Sequence, residues 1–159
     1  MRIRNFSQTD LSAIISIQTK TPQAAQWTPA DYATLAGDPS GLILVAEHGA
    51  ASEINTAPPE IVGFVAFHSV IDEAELRNMS VAPAHQRHGV GRELLAEGCR
   101  RLLERNTRRI YLEVRASNLP AQGLYYSTGF GLCGRRKDYY NNPSEDALIL
   151  SLALALPVP

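Results

Sequence analysis

Two short amphipathic helices are predicted near the start of the chain. Between residues 10 and 18, leucine and isoleucine recur three and four residues apart, which places them on one face of a helix. A second helix is predicted to follow Thr28, which can cap it. Pro29 suits the first helical position, and a negative charge such as Asp31 is favoured in the first turn.

Apolar runs along the rest of the chain predict strands. Residues 42–46 form an apolar run rich in β-formers, and residues 61–70 are nearly all apolar, as in a strand buried on both faces. Between them, residues 48–59 are polar and small, which predicts a loop. Further strands are predicted over residues 73–81, 109–115, 130–135 and 147–154, and further helices over residues 90–104 and 120–128.

The third predicted strand changes phase. Ala74 and Leu76 share one face, whereas the next apolar residues, Met79 and Val81, fall out of step with them. Because a strand alternates its faces with a period of two, one extra residue near positions 77–78 would restore the phase as a β-bulge. A strand that ends and restarts is the other interpretation of this spacing.

The order of the predicted elements indicates the fold class. Strands and helices interleave, which predicts an α+β, or mixed α/β, fold with a mixed sheet and helices packed against it. The length of 159 residues fits a single domain over residues 1–159. Hydrophobic residues make up 45% of the chain, so a core can form without help from disulfides or metals.

The densest chemical signal lies where the third strand gives way to the long helix. Two closely spaced glycines there let a ligand approach the backbone. The first amides of a helix lack intrahelical partners and the helix dipole adds partial positive charge, so this junction predicts a phosphate or pyrophosphate site. The segment consists of Gln86, Arg87, His88, Gly89, Val90, Gly91 and Arg92, and its arginines can add charge-assisted contacts.

Taken alone, two glycines before a helix are weak evidence. The dinucleotide fingerprint requires a third glycine where Leu94 stands, and a P-loop requires a Gly-Lys-Ser/Thr sequence that does not follow. In context, however, Gln-x-x-Gly-x-Gly directly after Met79-Ser80-Val81-Ala82-Pro83 resembles the acetyl-CoA signature of the GCN5-related N-acetyltransferase (GNAT) superfamily.

The resemblance is strongest from about residue 61 to the end of the chain. More narrowly, the chain resembles the RimI branch of the superfamily, which acetylates the N-terminal amine of a ribosomal protein. The segments that carry this likeness are Tyr111–Asn118, Leu124–Phe130, Arg135–Tyr140 and Glu145–Ala147.

The resemblance implies a fold and a co-substrate. The GNAT fold has a mixed, mostly antiparallel sheet of about seven strands, with a bulged, splayed strand pair, and about four helices. Acetyl-CoA would be the co-substrate. Its pantetheine arm would pair with main-chain groups of Met79 and Val81, where an amide would also polarise the thioester carbonyl. The implied coenzyme-binding residues are Met79, Ser80, Val81, the seven residues from Gln86 to Arg92, and Asn118.

Two side chains are candidates for proton transfer. Glu113 lies on the polar face of a predicted strand, at the position where the family places its general base, and could act through a water. A surface glutamate paired with Arg115 or another neighbour is the alternative. Tyr125 follows Asn118 at the family spacing and is the candidate general acid; the alternative is an aromatic core residue. Tyr126, next in the helix, would face elsewhere.

The acceptor is an amine of one of two kinds. Tyr139 and Tyr140, predicted in a polar loop before the last strand, and Trp27 would form a wall suited to a peptide end. A protein N-terminus, with a ribosomal protein among the candidates, is therefore the first hypothesis. A small amine is the second, and a non-catalytic module that binds coenzyme A is the third, which retention of both Glu113 and Tyr125 disfavours.

Composition limits the remaining possibilities. A net charge of −1 gives no global field for nucleic acid or an anionic membrane, so neither is an expected partner. Cys99 and Cys133 are expected to be small buried residues, and the histidines show no metal-ligand spacing with them, so no metal is expected. The absence of a signal sequence or an apolar span predicts a cytoplasmic protein, either a monomer or a weak homodimer.

Overall fold

Seven strands and four α-helices make up the part of the chain that the computed structural model describes, residues 1–49 and 58–155. The strands are β1 (Arg2–Asn5), β2 (Gly41–His48), β3 (Glu60–Val70), β4 (Glu73–Val81), β5 (Arg109–Arg115), β6 (Gly131–Tyr140) and β7 (Glu145–Ala153). The helices are α1 (Leu11–Thr19), α2 (Pro29–Gly37), α3 (Val90–Glu104) and α4 (Leu119–Ser127). Short 3-10 turns at Gln8–Asp10 and Pro83–His85 precede α1 and α3.

The strands form one sheet in the order β1-β2-β3-β4-β5-β7-β6. All neighbouring strands are antiparallel except β4 and β5, which are parallel. Helices α3 and α4 pack on one hydrophobic cluster, and α1 and α2 pack on a second. Side chains of β3 contribute to both clusters, which explains why its sequence is apolar at nearly every position. The predicted α+β class, strand number and helix number are confirmed.

Local capping fixes the start of α2, as the sequence predicts. The Thr28 hydroxyl accepts from the Asp31 amide at 3.3 Å, and the Asp31 carboxylate accepts from the Thr28 amide at 2.7 Å. This reciprocal capping box satisfies two amides that the helix itself leaves free. Pro29 occupies the first helical position. Residues at the start of α2 therefore determine where this helix begins.

The predicted bulge in β4 is present. Leu76 pairs with Phe67 and Asn78 pairs with Ala66, so Arg77 is the extra residue. The apolar residues on both sides of the bulge contribute to one hydrophobic cluster, the one beneath α3. The change of phase in the sequence therefore reflects a bulge within one continuous strand.

The parallel ladder between β4 and β5 is short. It begins at Glu73 and Arg109 and ends at Leu76 and Leu112. Beyond that pair β4 continues to Val81 and β5 to Arg115, but the two strands no longer pair with each other. The sheet is therefore open at its centre, immediately after the bulge.

Two local predictions are wrong. Tyr139 and Tyr140 lie at the end of β6 rather than in a loop, because a register shift lets β6 continue to Tyr140. Cys133 is exposed, since β6 is an edge strand covered on few sides, whereas Cys99 on α3 is half-buried; both thiols are free. In the loop predicted over residues 48–59, His48 belongs to β2, and residues 50–57 lie outside the described residues.

Within residues 1–49 and 58–155, none of the helices has the length and apolar character needed to cross a membrane.

Candidate active site

A cleft with a volume of about 1040 Å³ lies beside the unpaired end of β4. Four parts of the chain line it: the end of β4, the start of α3, one side of α4, and residues 20–24 between α1 and α2. Of the predicted coenzyme-binding residues, those that line this cleft are Met79, Ser80, Val81, Gln86, Arg87, Gly89, Gly91, Arg92 and Asn118. The structure therefore brings together segments far apart in sequence.

The start of α3 presents a row of free backbone amides. In the described ranges, no amide from Arg87 to Arg92 donates to a protein acceptor, and the Glu93 amide is the next to do so, to the Gly89 carbonyl at 3.0 Å. Arg87 and Gly89 both have left-handed backbone conformations, with φ of 62° and 87°. Successive amides in such turns form concave anion-binding sites. This segment can hold a phosphate or pyrophosphate group.

Close packing explains the second glycine of the motif. A Cβ atom at Gly91 would lie 2.9 Å from Leu124 Cδ2 and 3.2 Å from Met79 Cε. Glycine at this position lets α3 pack against α4 and β4 without displacing the ends of the Leu124 and Met79 side chains.

The side chains of the motif have separate structural roles. The Gln86 amide donates to the Val81 carbonyl at 3.0 Å and so ties the turn to the end of β4. Arg92 donates to the Ser127 hydroxyl at 3.0 Å. The Val90 side chain is buried in the core and the His88 side chain does not line the cleft, so the contribution expected of these two residues is their backbone amides.

Tyr125 reaches the cleft from α4. Its side chain is 8% exposed and packs against Phe130, with a centroid separation of 5.7 Å. In the described part of the chain its hydroxyl has no hydrogen-bond partner, which leaves it free to donate into the cleft. Burial, and to a lesser extent the charge of Tyr140, raises the pKa of the Tyr125 phenol, so it stays protonated at neutral pH. Tyr126 is 44% exposed and faces away, as predicted.

Asn118 lies beside the cleft, and its side-chain oxygen already accepts a hydrogen bond from the protein. Its side chain accepts from the Ala121 amide at 3.2 Å and caps α4. Asn118 therefore caps α4 from a position beside the cleft, and its side-chain amide group stays available to a ligand.

Glu113 faces a second, smaller cleft of about 330 Å³. It is half-buried on β5, on the face opposite the buried Leu112 and Val114. Its ion-pair partner is Arg136 of β6, with 2.8 Å between Arg136 Nε and Glu113 Oε1. Arg115, which the sequence offers as an alternative partner, pairs with Glu145 at 3.3 Å instead.

The two tyrosines at the end of β6 lie beside these charges. The Arg115 guanidinium stacks on the Tyr140 ring at 4.1 Å, and the Arg136 guanidinium lies 5.4 Å from the Tyr139 ring centroid. The Glu113 carboxylate, by hydrogen bonding and by its charge, raises the pKa of the Tyr139 hydroxyl. Burial is the main cause of the raised pKa of Tyr140, followed by the charge of Glu113. Both tyrosines therefore lie within electrostatic reach of Glu113.

A buried polar network holds the residues before α2 against the bulge. Asn78 donates to the Ala25 carbonyl at 3.0 Å and to the Tyr32 hydroxyl at 3.1 Å. Tyr32 in turn donates to Gln18 at 2.6 Å, and the Gln18 amide group donates to the Trp27 carbonyl at 2.6 Å. These polar side chains are buried among apolar residues. Each has a hydrogen-bond partner from another element, which offsets the cost of burying it.

The backbone carbonyl of Trp27, the third predicted wall residue, belongs to this network. Its ring packs on Tyr32 with centroids 5.1 Å apart, and the Arg77 guanidinium lies 5.9 Å from it. Residues 20–24, Arg136 and the polar network were not predicted from the sequence. One feature of the sequence could have indicated the network: a polar side chain at a buried position of each helix, Gln18 on α1 and Tyr32 on α2.

Among residues 1–49 and 58–155, no three His, Cys, Asp or Glu side chains are grouped so that they could hold a metal ion.

Comparisons with known proteins agree with this geometry. The family model described as Acetyltransferase (GNAT) family matches residues 11–130. The chain is 32% identical over 156 residues to the ribosomal protein bS18-alanine N-acetyltransferase of Escherichia coli (strain K12), covering 97% of this chain and 98% of that protein. It is 32% identical over 155 residues to the protein of the same name from Haemophilus ducreyi, covering 96% and 99%.

A solved structure gives the same likeness. The crystal structure of the ribosomal-protein-S18-alanine N-acetyltransferase from Escherichia coli superposes with a TM-score of 0.80 at 31% identity, covering 99% of this chain and 96% of that one.

Proposed function

Because this chain belongs to the acetyltransferase (GNAT) family, we propose that it transfers an acetyl group from acetyl-CoA directly to the N-terminal α-amine of a protein. The observation that carries the proposal is the separation of β4 from β5 beyond Leu76 and Leu112. It frees the edge of β4 from Met79 to Val81, which lines the larger cleft, while Glu113 lies on β5 one residue beyond the last pair of the ladder. In this proposal the acyl donor lies along the freed edge of β4 and the amine approaches from the side of Glu113.

The residues around the larger cleft fit coenzyme A. The free amides from Arg87 to Arg92 supply donors for a pyrophosphate, and the unpaired edge of β4 at Met79 and Val81 offers main-chain groups to an extended arm. When bound, acetyl-CoA would supply the activated acetyl group as a thioester. Asn118 would donate its free side-chain amide to the coenzyme.

The acceptor amine must lose a proton before it can attack. A free α-amine has a pKa of about 7.7–8.0, whereas that of lysine is about 10.4, so an α-amine is the easier group to deprotonate at neutral pH. In this proposal Glu113 accepts that proton, directly or through a water. The half-buried position of Glu113 at the edge of the smaller cleft supports this role.

Tyr125 is the proposed donor to the departing sulfur. A thiol pKa of about 8.5 lies below that of a phenol, about 10, so full proton transfer would be mildly uphill in water. In a dry cleft, however, the phenol can hydrogen-bond to the sulfur as negative charge develops. The burial and free hydroxyl of Tyr125 support this assignment.

Two observations support a protein N-terminus as the acceptor. Relatives named as ribosomal protein bS18-alanine N-acetyltransferases share 32% identity with this chain over nearly its whole length. In addition, Tyr139 and Tyr140 provide flat aromatic surface beside Glu113, which suits a peptide end. An acceptor of this kind, such as a ribosomal protein, would place the reaction in the cytoplasm.

Thiol release from acetyl-CoA tests the proposal. The acceptors would be peptides with a free N-terminus, the same peptides with a blocked N-terminus and an internal lysine, and small amines such as spermidine and free amino acids. We expect turnover with the free N-termini. Preferential turnover of a small amine would show that the acceptor is a small molecule and not a protein N-terminus. Tight coenzyme binding with no turnover of any amine would indicate a non-catalytic module.

A further inference from the structure

The carboxylate of Glu113 is covered in this structure. Arg136 Nε lies 2.8 Å from Glu113 Oε1, and the same guanidinium lies 5.4 Å from the centroid of the Tyr139 ring. The Glu113 side chain is 21% exposed and lines an open cleft. An acceptor amine meets this cover before it meets the carboxylate.

Arg136 belongs to β6, which is not adjacent to β5, the strand that carries Glu113. In the sheet, β7 lies between β5 and β6. On β7, Ala147 pairs with Arg115 of β5 on one side and with Arg136 of β6 on the other, so the three residues share a face. Ala147 is fully buried. Its small side chain leaves room for the Arg136 arm to cross β7 and reach Glu113.

Arg136 is held more loosely than its neighbour Arg115. The Arg136 side chain is 55% exposed, whereas that of Arg115 is 26% exposed and is fixed by both Glu145 and the stacked Tyr140 ring. Arg136 also lies where the pairing of β6 with β7 becomes irregular, between Arg136 and Tyr140. The pair is exposed on its arginine side, and an ion pair near the surface changes an equilibrium by no more than about fivefold. The guanidinium can therefore leave at small cost.

We propose that Arg136 is a displaceable cover on Glu113, and that the ammonium group of the incoming acceptor takes the place of its guanidinium. This inference rests on the proposed function, because it assumes that Glu113 receives the amine. In the free enzyme the arginine neutralises a half-buried carboxylate. On acceptor binding one cation replaces another, so the carboxylate keeps a positive partner throughout, and uncharged molecules gain nothing by entering.

Arg136→Gln tests the cover, with two matched variants. Arg135→Gln removes the same charge from the adjacent residue, whose guanidinium contacts Asp146 at 2.8 Å and is 60% exposed. Arg136→Lys keeps the charge. We expect Arg136→Gln to lower KM for a free-N-terminus peptide about two- to fivefold with kcat within about twofold, the range of one exposed ion pair. Arg135→Gln and Arg136→Lys should retain the wild-type KM.

A second measurement separates displacement from a general change in the cleft. Calorimetry would compare that peptide with a copy whose α-amine is replaced by a hydroxyl group. Tighter binding by Arg136→Gln only for the cationic peptide supports the cover. Equal gains for both peptides, or a KM that is unchanged or higher in Arg136→Gln, would overturn it. If the wild-type protein acetylates no peptide, the proposed function fails, while the calorimetric comparison still decides whether Arg136 competes with an ammonium group.

Discussion

Leu76 and Leu112 form the last pair of the parallel ladder between β4 and β5, directly before the bulged residue Arg77. A bulge bends its strand and increases the local twist, so the strand ends beyond it move apart. Both leucines are nearly fully buried and belong to the cluster beneath α3, which holds the ladder together up to that point. The hydrophobic core and the opening for substrates therefore meet at one pair of residues.

Glu113→Gln should reduce turnover on a peptide amine by about 10²–10⁴-fold, the usual contribution of a general base. The amide cannot accept the proton, but it keeps the shape of the carboxyl group, so affinity for acetyl-CoA should stay near that of the wild type. Steady-state kinetics and calorimetry measure the two effects. Glu104→Gln, at the exposed end of α3, is the control and should behave as wild type. Near-normal turnover in Glu113→Gln would remove Glu113 from the mechanism.

Tyr125→Phe should lower kcat by about 10²-fold, the lower end of the range for acid–base catalysis, because a thiolate can leave without full protonation. The phenol hydroxyl makes no hydrogen bond within the described residues, so the fold should be retained. Tyr126→Phe, one residue along the helix and 44% exposed, is the matched control. A similar loss in both variants would mean that α4 as a whole, and not the Tyr125 hydroxyl, is needed.

Gly89→Ala and Gly123→Ala should change stability in opposite directions. A Cβ atom at either position meets no atom within 4 Å, so backbone conformation decides the outcome. Gly89 has φ of 87°, and an L-residue there should lose about 1–2 kcal/mol of unfolding free energy. Gly123 is inside α4, where alanine should add about 0.5–1 kcal/mol. Urea unfolding measures both, and a stability gain in Gly89→Ala would contradict the assignment of strain.

Tyr32→Phe should lower the unfolding free energy by about 1–3 kcal/mol, the cost of leaving buried polar groups without a partner. The Tyr32 hydroxyl joins Gln18 to Asn78 and is fully buried, so water cannot replace it without a change in packing. Urea unfolding, with Tyr126→Phe as the exposed control, measures the loss. Equal stability of the two variants would show that the network contributes little.

The Glu97 carboxylate gives a pH-dependent contribution to stability. Hydrogen bonds from Arg100 and then Arg101 lower its pKa to about 2, below the value of about 4.3 expected in the unfolded chain. Because the folded-state pKa is the lower one, this stabilisation is present above about pH 4.3 and is lost as the pH falls towards 2. Near the surface it should amount to no more than about 1 kcal/mol.

Unfolding of wild type and Glu97→Gln at several pH values measures this effect. The wild type should be the more stable protein at pH 6, and the difference should shrink below pH 4. A difference that stays constant down to pH 2 would show that the pairs do not act through the charge of Glu97.

Much of the fold could be predicted because its signals are local. The apolar pattern located six of the seven strands, all but β1, and Thr28 as a helix cap located the start of α2. The phase change in β4 located the bulge to within one residue, and the continuous pairing of β4 with β3 then excluded a strand that ends and restarts. The family likeness then supplied candidate roles for Glu113 and Tyr125, which remain predictions.

The sequence by itself thus determined the order of the elements, the bulge and the glycine-lined start of α3. Only the tertiary structure decided that β4 and β5 part after Leu76 and Leu112, and that residues 20–24 line the larger cleft. It also decided that Glu113 pairs with Arg136 rather than Arg115. The physical reason is range: turns, caps and strand phase depend on neighbours in the chain, whereas ion pairs and cleft walls depend on which distant strands the sheet order brings together.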